Sequence, residues 1–135
     1  MNIILWIICL AIVALTSCKS SRQRALEFVK QGSVKEYQQD SKAAYELFTK
    51  AIATDPSLAP AWFFRGNNRL NHKDIEGAIA DYSKAIELKP DYADAYANRG
   101  DAYFAEGLHD KSCPDYLKAE QLGKENMYEK TKWCR

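Results

Sequence analysis

The chain carries almost no charge bias: 19 lysines and arginines stand against 18 aspartates and glutamates, for a formal net charge of +1. The basic residues are scattered rather than striped, so no field is set up for a phosphate backbone and no nucleic-acid partner is expected. Histidine is scarce. His72 and His109 lie far apart, neither has a cysteine or carboxylate at metal-ligand spacing, and both read as surface residues, with no metal site expected. Missing too are a glycine-rich phosphate loop, G-x-S-x-G, H-E-x-x-H, C-x-x-C and any cysteine beside a base, so neither a catalytic residue nor a cofactor is expected. Long apolar runs are also lacking. The longest uncharged one, Ile3 to Leu15, rises only about 20 Å as a helix, short of the roughly 30 Å hydrocarbon core of a bilayer.

A run of that length suits the apolar region of an export signal better than a membrane span. It leads into Leu15-Thr16-Ser17-Cys18, which resembles the lipobox of bacterial lipoproteins, where a small residue precedes a cysteine that receives the lipid. The resemblance implies a signal peptide over 1–17, a lipidated Cys18 bearing acyl chains such as palmitate, and a short linker over 18–24. Met1-Asn2 departs from it by having no basic residue, and an uncleaved signal anchor is the competing reading. Either way the remainder is exported and tied to a membrane of the bacterial envelope. Lys19 after the cysteine is not the aspartate of inner-membrane retention, which leans toward the outer membrane.

What the chain has in abundance is repetition. Pro56 returns as Pro90, Ala51 as Ala85, Ala44 as Ala78, and Gly32 as Gly66 and then Gly100, at a constant period of about 34 residues. The aromatic at Phe48 returns as Tyr82 and Tyr116. A fixed period of this length means stacked supersecondary units, each covering its neighbour's apolar face. Each unit reads as two helices with a turn between: Pro90 ends one, Pro60 is tolerated in the first turn of another, and Asp74 or Ile75 opens a third.

These residues closely resemble the tetratricopeptide repeat. One unit supplies Trp62, Gly66, Ala78, Tyr82, Ala85 and Pro90, departing only with Arg69 where tyrosine is usual. The next supplies Tyr96, Gly100, Tyr103, Ser112, Tyr116 and Ala119, and the first supplies Phe28, Gly32, Ala44, Phe48, Ala51 and Pro56. The implied fold is all-α, a superhelix of three repeats over 25–58, 59–92 and 93–124, closed by an amphipathic capping helix over 125–135 that carries apolar Met127 and Trp133 among its charges. Pro114 is harmless only if its helix begins near Asp110 to Ser112, placing the ring in the first turn, so a late start is expected there.

With Cys9 in the leader and Cys18 at the lipid site, Cys113 and Cys134 remain, an even pair in a compartment that permits disulfides. The cap would bring them together, as in exported bacterial repeat proteins that carry one cysteine in the last repeat and one near the terminus. Two separate buried thiols are the alternative.

Arg65 and Arg99 recur at one place in the unit and Asp81 and Asp115 at another, while the first repeat lacks both, with Gln31 and Leu47. Residues that come and go together imply structural ion pairs, Arg65–Asp81 and Arg99–Asp115, rather than ligand contacts. The family's first helices line a concave groove for segments of other proteins. Carried over, the groove positions are Phe63, Phe64, Asn67, Leu70 and Asn71, then Asp94, Asn98 and Asp101, with Phe104 on the same face. Asn67 and Asn98 match two places of a carboxylate clamp, but the basic partners are missing. The resemblance therefore implies a neutral or apolar protein or peptide segment as partner, with no small-molecule substrate, although Phe63 and Phe64 could instead pack between helices. The function implied is a membrane-anchored adaptor; the alternative is a structural subunit of a larger envelope complex.

Overall fold

The structure, a computed structural model, describes residues 19–134. The leader, Cys18 and Arg135 lie outside the described residues. Those described form seven helices and no strand: α1 Ser21–Tyr37, α2 Ser41–Thr54, α3 Ala59–Asn71, α4 Ile75–Leu88, α5 Ala93–Ala105, α6 His109–Gln121 and α7 Tyr128–Thr131. Helices α1 to α6 pair as three antiparallel hairpins that stack into a superhelix.

The sequence period reappears in the backbone. Asp40 and Asp74 each cap the second helix of a hairpin, their carboxylates accepting from the N–H of Ala43 and Gly77. One residue before each cap the chain passes through the left-handed region, at Lys73 (φ 63°) and Gln39 (φ 62°), and again at Gly107 (φ 74°). Only the third of these turns uses glycine, the residue for which that conformation is free of strain. Leu108 stands where the third capping aspartate would be and makes no side-chain cap.

The core is one ring per hairpin pressed onto one glycine. A Cβ on Gly32 would come 2.4 Å from the Phe48 ring, on Gly66 2.8 Å from Tyr82, and on Gly100 2.6 Å from Tyr116. Phe48 and Tyr82 are fully buried, so the rings have nowhere to go. Gly66→Ala would gain about 1 kcal/mol of helix propensity, but overpacking a filled core costs about 1–3 kcal/mol. A net loss on the order of 1 kcal/mol is expected in urea unfolding; a stabilised variant would contradict the packing described.

Three expectations need correction. Residues 21–24 are not linker: α1 begins at Ser21, capped by Ser20, whose hydroxyl accepts from the Gln23 N–H while the Gln23 side chain accepts from the Ser20 N–H. The Ser20-x-x-Gln23 spacing is the capping-box signal that would have placed this start. Nor does α6 start late. It begins at His109, one period after Ile75 and two after Ser41, so Pro114 falls in the second turn, where its missing N–H deserts the Asp110 carbonyl. Asp110 is exposed, and water can take that carbonyl.

The cap, finally, is a single helical turn. Gly123 (φ 86°) and Asn126 (φ 59°) place two left-handed residues close together, which delays the helix to Tyr128, and it stops at Thr131. Met127 and Thr131 are buried, whereas Trp133 is 81 % exposed and adds nothing to the core. Met127 lies one period after Ala93, and Cys134 one period after Gly100. The tail thus occupies the place where a fourth unit's first helix would begin. Cys134 is joined to Cys113 of α6, with Cα atoms 5.3 Å apart.

Candidate functional site: the concave face of α3 and α5

Asn67 and Asn98 meet across the junction of the second and third repeats. The Oδ1 of Asn67 accepts from the Tyr82 hydroxyl at 2.8 Å and from Asn98 Nδ2 at 2.8 Å. Two donors on one oxygen fix both amides, and each keeps an unused edge: Nδ2 of Asn67 as donor, Oδ1 of Asn98 as acceptor. Both residues are half-buried. Around them, Leu70 is half-buried against the core of the second repeat and Asn71 is exposed on the last turn of α3.

The phenylalanines divide otherwise than expected. Phe63 is only 8 % exposed, with ring centroids 4.8 Å from Tyr92, 5.3 Å from Phe64 and 6.0 Å from Tyr82. It is a core residue, because Tyr92 at the junction with the next unit closes over it. Phe64 is half-buried and stacks on Phe48 of the previous repeat at 5.8 Å, leaving an edge. The aspartates are not free either. Lys124 of the tail pairs with Asp94, and Lys130 reaches Asp101 at 2.8 Å while the Tyr116 hydroxyl donates to the same carboxylate at 2.9 Å.

Arg65 grips Asp81 with two parallel bonds of 2.9 and 2.8 Å, and Arg99 grips Asp115 at 2.7 and 2.8 Å. Their remaining Nη1 groups reach back one repeat, to Thr49 at 3.4 Å and Ser83 at 3.0 Å. The arginines therefore bind hairpin to hairpin. The carboxylate of Asp115 favours the charged form of Arg99 and raises its pKa. A second ligand of Asp81 escaped notice in the sequence: Arg69 approaches it at 3.2 Å, donates to the Tyr45 hydroxyl at 3.2 Å and lies over that ring. Its substitution for the usual tyrosine was the visible signal. Asn68 was also missed. It is buried and donates to Glu36 and to the Ser41 carbonyl of the first repeat; a polar residue two turns on from buried Ala61, on the same helix stripe, marked it.

Burial raises the pKa of Tyr82 and Tyr116 and pushes Tyr92 up to about 12, Asp94 adding to the last. In the unfolded chain these phenols ionise near 10. The stability they contribute is full below pH 10 and is lost as the pH rises toward 12, because only the unfolded state then sheds the protons. The urea midpoint should be flat from about pH 8 to 9.5 and fall steeply above 10, less steeply in Tyr92→Phe. Equal slopes for wild type and variant would rule the mechanism out.

Residues 66–107 match the family described as TPR repeat, and residues 93–126 the one described as Tetratricopeptide repeat. Both matches are to tetratricopeptide repeats, and they fall on the second and third hairpins. The first TPR of Spaghetti (RPAP3), solved with the HSP90 peptide SRMEEVD, superposes with a TM-score of 0.79 at 24 % identity, over 84 % of this chain and 91 % of that one. The second TPR of the same protein, solved with the same peptide, gives 0.73 at 27 %, over 75 % and 94 %. MamA gives 0.76 at 25 %, over 82 % of this chain and 66 % of its own. A sequence search of curated proteins returns no match. The tetratricopeptide superhelix is a protein-interaction scaffold, and among the described residues no His, Cys, Asp and Glu cluster is arranged for a metal ion.

Proposed function

We propose that the chain is an exported adaptor, lipid-anchored at Cys18 in the bacterial envelope, that holds an extended protein or peptide segment along α3 and α5. The observation that carries the binding reading is the Asn67–Asn98 pair, locked by Tyr82, whose unused donor and acceptor edges match the C=O and N–H of a peptide backbone. A relative 27 % identical was solved holding a peptide in this fold. That peptide, SRMEEVD, is acidic, whereas the half-buried neighbours here are Phe64 and Leu70, and the basic partners of a clamp are missing. A neutral, partly apolar segment fits. The anchor reading rests on the lipobox-like Leu15 to Cys18, and α1 starting at Ser21 would hold the first repeat close to the bilayer.

The test is a photo-crosslinking residue at exposed Asn71, one turn beyond Asn67, with a second at exposed Glu87 of α4 as control. A discrete adduct from position 71 alone, lost on Asn67→Ala, supports the groove. Equal labelling at both positions sinks it and favours a structural subunit of a larger complex, a reading to which Tyr37, 90 % exposed on α1, lends its surface.

A further inference from the structure

A second concavity lies beyond the asparagines, where the tail folds back on α5 and α6. This cleft of about 490 Å³ is lined by Asp101, Phe104, His109, Tyr116, Trp133 and Cys134 among others. One wall is aromatic: Phe104 is 57 % exposed and meets His109 edge-on, with ring centroids 4.9 Å apart. The tail contributes Trp133 to the lining, and the disulfide ties the tail to α6.

Its carboxylates and its serine hydroxyl are already engaged within the chain. Asp101 accepts from Tyr116 and Lys130, Ser112 donates to the His109 carbonyl, and Glu129 pairs with Lys132. A cationic occupant would find those carboxylates already taken and would lose hydration. The complementary occupant is a neutral, bulky apolar side chain. Asp101 also connects the cleft to the asparagine pair. It lies one period after Asn67 and, like Asn67, accepts from the buried tyrosine of its own hairpin. A chain lying along α3 and α5 would run from Asn98 past Asp101 into the cleft.

We infer that this cleft is an apolar anchor subsite, taking one aromatic or aliphatic side chain of the partner polypeptide between Phe104 and Trp133, and that it exists only while Cys113 and Cys134 are bonded. The inference extends the groove reading above but needs only the tail. Residues 132–134 lie beyond the last helical turn, and α7, a single turn, cannot sustain itself; the covalent bond is what holds the Trp133 wall in place.

The experiment uses the lipid-anchored chain from Cys18 onward in nanodiscs, its tryptophans replaced by 5-fluorotryptophan, so that Trp62 and Trp133 each give one fluorine resonance. Trp133→Phe assigns the two. The probe is acetyl-Gly-Phe-Gly-amide, with acetyl-Gly-Lys-Gly-amide as the charged comparison. The Trp133 signal should shift saturably with the phenylalanine probe, at least tenfold more weakly with the lysine one, and the Trp62 signal should stay still. Phe104→Ser, at an exposed position, should abolish the shift, and Cys113→Ser/Cys134→Ser should weaken the apparent affinity at least tenfold. An unmoved Trp133 signal, or a shift undiminished in both variants, overturns the proposal. A tripeptide is too short to span the groove, so failure here with a position-71 adduct intact removes the cleft alone; the reverse removes the groove alone.

Discussion

Asp81→Ala is expected to lower the free energy of unfolding by about 3–5 kcal/mol, because it strands charge in a place that water hardly reaches. Asp81 is 1 % exposed and holds two arginines, Arg65 through two parallel bonds and Arg69 at 3.2 Å. The Arg65 side chain is itself 12 % exposed and Arg69 22 %, so neither can swing fully to solvent without leaving a void against Tyr45 and Trp62. Removing the carboxylate costs far more than the pair contributes to stability, since an apolar replacement of both partners is often neutral. Arg65→Met with Asp81→Leu should accordingly recover a large part of the loss.

The matched test is Asp115→Ala. Asp115 holds Arg99 in the same two-bond geometry, but Tyr103 stands where the second repeat has Arg69, so one cation is stranded rather than two. Urea unfolding should rank Asp81→Ala clearly below Asp115→Ala. Equal midpoints would mean that Arg69 contributes nothing at Asp81 and that its cation finds water elsewhere.

That ranking also marks how far the sequence could be read. The fold was legible because the period is written three times: each glycine announces the ring that presses on it, and steric exclusion at a helix crossing admits no larger residue. Arg65 and Asp81 were legible as partners because the first repeat lacks both. Residues that occur once were not. Phe63 sits at a place that faces the groove in the family, yet Tyr92 covers it, and no periodicity reports what a neighbour's side chain will do. Arg69 and Asn68 reach from the second repeat to the first, so their partners there, Tyr45 and Glu36, lie far back along the chain in a pattern with no second copy. The shortened cap is hidden for a further reason: two left-handed residues, Gly123 and Asn126, consume the span that the apolar pattern offers to an amphipathic helix.

Opening the Cys113–Cys134 bond should cost about 3 kcal/mol, the loop-closure entropy that a bridge across some 20 residues removes from the unfolded chain. Little else would hold the tail. Met127 and Thr131 are buried, but the ion pairs of Lys124 and Lys130 sit at the rim, where such pairs contribute about 1 kcal/mol or less. In a stack of repeats each unit answers mainly to its neighbours, so the loss should fall on α6 and α7 while α1 to α4 keep their protection. Releasing the tail bares Ala97, Tyr116 and Ala119, which Met127 and Cys134 cover, and loosens the side of the third hairpin that no further repeat supports. Hydrogen exchange with and without a phosphine reductant reads this directly: faster exchange over 109–134, unchanged exchange over 41–88, and a lower urea midpoint that Cys113→Ala/Cys134→Ala reproduces without reductant. A reduced chain with the same midpoint and a protected tail would show that burial of Met127 and Thr131 suffices, and the anchor cleft would then no longer depend on the bond.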